Sequence, residues 1–343
     1  MTKTVANKLP PSAIMYTFIA GRWLSRLIYV AAKLELADLL KDGPRSVEEL
    51  AQAAQAQARP LYRVLRALAS VGIFAETKDK KFKLTSLAAT LQKAVPSSMR
   101  AAALLFELPS MEDAWGQLLH GVKTGEVPFR KAHGVSLFEY LQKHPEDFAI
   151  FNESMTSFSS TENSAIADAY KFPGIQTLVD VGGGHGSLLA AILQANPKLK
   201  GVVFDLPAVT ERAKQGGHLM TKGIAGRCTV EPGDFFEAVP KGGDTYIMKR
   251  VLHDWDDERC TKILANCCAA MSEKGRVLVI DSVIAPGNDP DRGKLIDIQM
   301  LVVSGGRERT KDEFAALFKK AGLKVTRVVP TKCPLSIVEG IRA

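Results

Sequence analysis

Gln176-Thr-Leu-Val-Asp-Val-Gly-Gly-Gly-His-Gly-Ser-Leu-Leu189 reads as a strand, a glycine turn and the start of a helix. Thr177 to Val181 is a short β-branched run of the kind that forms a buried strand. Gly182, Gly183, Gly184 and Gly186 follow, and Leu188 to Leu193 carries an apolar helical pattern. Glycines let the backbone turn sharply and approach a ligand, while a helix N-terminus offers free N–H groups. This unit opens many nucleotide-binding α/β domains. The dinucleotide fingerprint is incomplete: Gly182-x-Gly184 is present, but Ser187 holds the third glycine position. Alone, the loop suits a nucleotide-like ligand or a tight structural turn.

Downstream, strand and helix patterns alternate. Strands are predicted at 177–181, 201–204, 228–231, 244–249, 276–281, 325–329 and 336–339, with helices such as 257–271 and 311–321 between them. This predicts an α/β fold with a Rossmann-like, doubly wound, mainly parallel sheet, whose ligands bind at the C-terminal strand ends. Upstream, the first hundred residues are helix-rich. Ile14 to Leu40 has helical apolar spacing and is expected to be one helix, ended by Asp42-Gly-Pro44. Ser46-Val-Glu-Glu49 is a capping box, Arg59-Pro60 starts another helix, and 74–84 reads as a hairpin with a charged tip. Helix, short helix, helix, hairpin is a winged-helix order. Such domains often bind DNA, and Arg59, Arg63 and Arg66 are placed to meet phosphates. The same helix offers few base-reading side chains, which favours a dimerisation or substrate-wall role. Residues 100–170 read as helical, with Phe106, Trp115, Phe151, Met155 and Phe158 as core or as the wall of an apolar pocket.

The chain has 343 residues, 46% hydrophobic and 24% charged, which suggests two domains with sizeable cores. A net charge of +8 comes from scattered Lys and Arg, and reads as solvation rather than a nucleic-acid surface. The five cysteines lack a paired zinc spacing and read as free thiols in a reducing compartment. Met1–Lys8 shows no secretory leader and no apolar stretch is long enough to span a membrane, so a cytoplasmic protein is expected.

Polar residues cluster at the strand ends. Asp180 lies beside the glycines. Asp205 ends the second strand, where an acid can accept ribose hydroxyls. Asp234 and Phe235 follow the third, where an acid and a ring can flank a base. A second acid at the third strand favours a mononucleoside with a zwitterionic tail, as in S-adenosylmethionine, over a dinucleotide. His253 follows the fourth strand, where a neutral imidazole can take a proton. A carboxylate on its other nitrogen would fix the tautomer and raise basicity; Asp281 and Glu308 are the candidates.

In order, Leu178-Val-Asp-Val-Gly-Gly-Gly-His-Gly186, Val203-Phe-Asp-Leu-Pro207, Pro232-Gly-Asp-Phe-Phe236, Lys249-Arg-Val-Leu-His-Asp-Trp255 and Gly305-Gly-Arg-Glu-Arg-Thr310 resemble the S-adenosylmethionine-dependent O-methyltransferases of the plant caffeate, animal hydroxyindole and bacterial polyketide-tailoring type. The resemblance spans nearly the whole chain. It implies a winged-helix dimerisation domain over 1–100, a helical substrate-pocket segment over 101–172, and a catalytic domain binding S-adenosylmethionine over 173–343. It implies cofactor contacts from Ser159, Gly182, Gly184, Asp205, Leu206, Asp234, Phe235 and Lys249. It assigns His253 as base, with Asp281 and Glu308 around it, and places Phe151, Met155, Asp254 and Met300 at the acceptor. Plant members carry Glu where this chain has Asp281, so the shorter side chain is expected to reach His253 less directly. The implied reaction moves a methyl group to a hydroxyl of a small, flat acceptor, forms S-adenosylhomocysteine, and uses no metal. The implied assembly is a homodimer, without nucleic-acid or membrane partners.

Overall fold

The computed structural model describes residues 9–96, 98–215, 219, 221 and 223–343. The Met1–Lys8 segment, read above as lacking a leader, lies outside the described residues. The chain forms two compact units. The first comprises the described residues up to Glu112 together with Leu141–Ser157; the second comprises Asp113–Tyr140 and Phe158–Ala343.

The first unit opens with a helix over Pro11–Lys33, proline standing at its first turn. The single helix expected through Leu40 does not form. Glu35 adopts a left-handed backbone with φ 55°, and a new short helix runs over Leu36–Leu39. The break re-aims the chain so that Ala31, Leu36, Ala37 and Leu40 all reach one core. Neither glycine nor proline marks it. The helix Val47–Ala53 begins with the expected reciprocal Ser46–Glu49 capping box. The helix Ala58–Ser70 buries Leu61, Leu65 and Leu68, one apolar stripe at helical spacing. Strands β1 (Phe74–Glu76) and β2 (Phe82–Leu84) close as an antiparallel hairpin over that core. Met15, Tyr16, Phe18, Ile19 and Trp23 of the first helix are exposed in the single chain.

The second unit is built on a seven-stranded sheet. Its strands are β3 (Thr177–Val181), β4 (Lys200–Asp205), β5 (Cys228–Pro232), β6 (Thr245–Lys249), β7 (Arg276–Asp281), β10 (Leu323–Pro330) and β11 (Ser336–Arg342). The spatial order is β10-β11-β7-β6-β3-β4-β5. β5, β4, β3, β6 and β7 run parallel, and β11 joins β7 and β10 antiparallel. From β3 the chain winds first toward β5, then back toward β7. The switch point therefore lies at β3 and β6, where an open parallel sheet leaves its crevice. The central strands β3, β6 and β7 are buried on both faces, as a parallel sheet covered by helices demands. Val179, Val181, Tyr246, Met248, Val277 and Val279 pack with the helices Asp257–Ala270 and Lys311–Lys320. Leu178, Ile247, Leu278 and Ile280 pack oppositely with Leu188, Leu189, Ile192 and Leu193. A two-stranded parallel ribbon, β8 (Val283–Ile284) with β9 (Arg309–Thr310), brings the 305–310 loop to the end of β7. No helix among the described residues is long and apolar enough to cross a membrane.

Candidate active site

At the end of β3 the glycine loop is held by backbone groups. Gly182 and Gly183 donate to Phe204 O at 2.8 and 3.3 Å, and Gly186 donates to Gly183 O at 2.9 Å. Gly182 and Gly184 adopt φ 69° and 57°, left-handed values that favour glycine. At Gly182 a Cβ would also lie 2.8 Å from Val251 Cγ2, whereas at Gly184 it would meet nothing within 4 Å. Open space above a tight backbone is what a ligand tail requires.

Asp205 ends β4 and ties the loop to it. Its carboxylate accepts from Gly184 N at 2.8 Å and from Leu206 N at 2.7 Å. Burial raises its pKa and these two N–H groups partly offset that. Each oxygen keeps a second lone pair for a hydroxyl. Leu206 itself is exposed at the start of the next helix. Asp234 caps its own turn by accepting from Phe236 N at 2.8 Å. Phe235 lies against the position a Gly182 Cβ would occupy, and stacks edge-on with Phe236 and Trp255. Asn266 donates to Phe235 O at 2.8 Å and steadies this segment. Asp180 is buried beside Gly183, and its Oδ2 has no hydrogen-bond partner among the described residues. Burial and the neighbouring Asp205 charge raise its pKa to about 7, against the pull of Lys249. An orphaned acceptor, a glycine cradle and acids at three strand ends fit a nucleoside carrying a cationic tail.

Lys249 ends β6. Its Nζ donates to Ser159 Oγ at 2.8 Å and Asn163 Oδ1 at 2.9 Å, and lies 3.5 Å from Glu162 Oε2. Glu162 also pairs with Arg250. Burial lowers the Lys249 pKa, and Glu162 opposes that. The sequence reading reached Ser159 and Lys249 but missed Glu162, Asn163 and Arg250. The available signal was the spacing of Ser159, Glu162 and Asn163, at i, i+3 and i+4 on one helix face.

His253 sits in a 3-10 turn, Leu252–Asp254, directly after β6. It is 6% exposed. Its Nδ1 lies 3.0 Å from Glu308 Oε1, so with a proton on Nδ1 the ring donates to the carboxylate and presents a free Nε2. Nε2 faces Asp254 Oδ1 at 3.9 Å. Burial alone would depress the imidazole pKa. The charge of Asp254, the Glu308 hydrogen bond and the charges of Asp281 and Glu308 outweigh it and raise the value to about 9. Asp281 makes no hydrogen bond to the ring: both its oxygens are buried without a partner among the described residues. It acts on His253 through charge, and burial raises its own pKa. Glu308 is fixed from behind, its N–H donating to Asp297 Oδ1 at 2.9 Å.

Met300 is half-buried on the helix Arg292–Val303, and its neighbour Gln299 accepts from Trp115 Nε1 at 2.9 Å. Phe151 and Met155 lie in the first unit, half-buried on the helix Pro145–Ala169. Ser159, the glycine loop, Asp205, Asp234, Lys249, His253, Asp281, Glu308 and Met300 all belong to the second unit. Among the described residues no group of three or more His, Cys, Asp or Glu is arranged to hold a metal.

The O-methyltransferase domain family matches residues 115–324, and the O-methyltransferase dimerisation domain family matches residues 16–94. Phenazine O-methyltransferase PhzM of Lysobacter antibioticus is 44% identical over 334 residues, 97% of each chain. The mitomycin biosynthesis 6-O-methyltransferase of Streptomyces lavendulae is 42% identical, covering 95% of this chain and 93% of its own. Among solved structures, the O-methyltransferase NcsB1 from neocarzinostatin biosynthesis, in complex with S-adenosylmethionine and 2-hydroxy-5-methyl naphthoic acid, aligns with a TM-score of 0.78. It is 32% identical, over 93% of this chain and 96% of its own.

Proposed function

Because this chain belongs to the S-adenosylmethionine-dependent O-methyltransferases, we propose that it methylates a hydroxyl on a small fused-ring aromatic acceptor, with His253 as the general base. The observation that carries this is the buried His253–Glu308 pair at 3.0 Å, placed at the switch point of the sheet.

When bound, S-adenosylmethionine supplies a methyl group on a sulfonium, a centre that needs only an oriented, deprotonated oxygen to accept its methyl. Gly182, Gly184 and Lys249 line the place for its amino-acid tail, with Ser159 beside Lys249. Asp205 offers free lone pairs for ribose hydroxyls, with Leu206 at its side, and Asp234 and Phe235 flank the base. His253 Nε2 takes the acceptor's hydroxyl proton while Glu308 holds the resulting imidazolium. A base raised to about 9 lies close to a phenol at ~10, so the proton transfer is nearly balanced. Asp254 and Met300 contact the acceptor. Charge from Asp281 supports the imidazolium without touching it.

The domain reading is retained: 1–100 for dimerisation, 101–172 for the acceptor pocket and 173–343 for cofactor and chemistry. A second copy of the chain covers the exposed row Met15, Tyr16, Phe18, Ile19 and Trp23, which a monomer would leave in water. The enzyme acts in the cytoplasm and does not engage nucleic acid. The relatives act in the phenazine, mitomycin and naphthoate settings named for them, which supports a fused-ring acceptor. The test is a panel of hydroxyphenazines, hydroxynaphthoic acids, phenolic acids, flavonoids and hydroxyindoles, read by S-adenosylhomocysteine release. Turnover confined to the first two groups is expected. Turnover with none, in a protein that binds S-adenosylhomocysteine, would overturn the acceptor assignment.

A further inference from the structure

Among the described residues the largest fully buried side chain is a cation, Arg309, at 0% exposure. It begins β9 and directly follows Glu308 in the chain. A buried guanidinium is costly unless every donor is met and its charge is balanced. Its donors are directed at the turn that carries His253. Nη1 donates to Leu252 O at 3.0 Å, and Nη2 donates to Trp255 O at 2.9 Å. These are the carbonyls before His253 and after Asp254, so one planar fork spans the turn. Nη1 also reaches Arg307 O at 3.3 Å. Nε and Nη2 both reach Asp257 Oδ1, at 3.2 and 2.9 Å. Burial would raise the Asp257 pKa, but hydrogen bonds and charge from Arg309 and Arg307 lower it, so it stays ionised as the counter-charge.

The neighbouring loop closes on the turn from another direction. At Gly306 a Cβ would fall 1.9 Å from His253 O, so only glycine admits this approach. Cys260 Sγ adds a contact to Leu252 O at 3.1 Å. The strand that presents Glu308 to the imidazole thus also grips the backbone on both sides of that imidazole. We propose that Arg309 is a positioning residue for methyl transfer: with Asp257 as counter-ion, it locks the 252–255 turn to the strand bearing Glu308 and so sets the His253–Glu308 hydrogen bond. This inference rests on the reading of His253 as the base.

Arg309→Lys keeps a cation for Asp257 but cannot span both carbonyls. Two measurements are made on the full chain. Histidine-labelled NMR, assigned with His253→Gln, follows the imidazole titration, and calorimetry with S-adenosylhomocysteine reports the cofactor site. The expected result is a His253 titration moved down from about 9 toward its ordinary value, with S-adenosylhomocysteine affinity unchanged. With an acceptor from the panel, kcat falls roughly 10- to 100-fold, as for other small misplacements of a catalytic group, and KM stays constant. The double variant with Glu308→Gln should be no slower than Glu308→Gln alone, since both act through one hydrogen bond. An unmoved titration, or losses that multiply in the double variant, would overturn the proposal. Should Arg309→Lys fail to fold, Asp257→Asn tests the same latch. It should shift the titration in the same direction by less, and no shift overturns the proposal. If His253→Gln and Glu308→Gln leave turnover intact, the base assignment fails, whatever Arg309 does.

Discussion

Two turns end neighbouring strands of one sheet, the glycine loop after β3 and the His253 turn after β6, and they are held in opposite ways. The glycine loop is set by its own backbone: amides of residues 182, 183 and 184 find the end of β4, about twenty residues on. The His253 turn is set by side chains of a distant segment, Glu308 and Arg309, with Asp257 just beyond the turn as counter-ion and Asp281 acting through charge. A backbone-built turn presents dipoles and space, which suits holding a ligand. A side-chain-built turn fixes one proton acceptor, which suits chemistry. The turns also touch, since a Cβ on Gly182 would collide with Val251. Binding and chemistry are therefore neighbours with separate supports, and each can be disturbed alone.

The hardest test removes the base. His253→Gln keeps a hydrogen-bonding group of similar size near Glu308 but cannot carry the proton away. Turnover should fall by roughly 10²- to 10⁴-fold, the usual worth of general base catalysis. Calorimetric affinity for S-adenosylhomocysteine should not change, because the loop's hydrogen bonds do not involve the turn. If that affinity collapses while the melting temperature holds, the two supports are not separate.

The same division explains what could be read from the sequence. β3 and β7 appear at the residues predicted for them, 177–181 and 276–281, because short runs of buried apolar residues are local signals. The glycine loop with Asp205 was legible for the same reason. The break at Glu35 was not: an ordinary residue takes φ 55° there because the buried side chains around it need a new direction. Arg309 was equally hidden, since nothing in Glu-Arg-Thr says that the arginine turns inward. Asp281 and Glu308 were both candidates for the second nitrogen of His253, and choosing between them needed the fold, which sets Glu308 Oε1 3.0 Å from Nδ1. Glu162 and Asn163 were overlooked because the long helix Pro145–Ala169 was read for its apolar positions, and its polar row was left aside.

A smaller effect separates the turns by pH. Asp254 faces Nε2 at 3.9 Å, and after burial its charge has the greatest influence on the imidazole, holding its pKa up. Asp254→Asn should therefore move the acidic limb of kcat/KM, expected near pH 9 in the parent enzyme, to lower pH by about one unit, a change of about tenfold in free base at pH 7. Stability should respond in step. The folded value of about 9 lies above the unfolded ~6.5. The protonated ring therefore stabilises the fold fully below pH ~6.5, and that contribution is lost as pH rises through about 9. The variant should lose less between those limits in urea melts. A limb that stays in place would remove Asp254 from the pair's electrostatics.

The smallest effect belongs to the loop. Gly184 has open space around a would-be Cβ, so Gly184→Ala meets no clash, and only its φ of 57° is disfavoured. That strain costs roughly 1–2 kcal/mol. It would appear as a lowered melting temperature and, where the loop relaxes away from Asp205, as weaker binding of S-adenosylhomocysteine. With cofactor saturating, kcat should match the parent, and the pH limb should not move, because no support of the His253 turn passes through residue 184. A fall in kcat at unchanged affinity would show that the loop also orients the reacting groups, and the contact between Gly182 and Val251 would then be the route by which the two turns act as one.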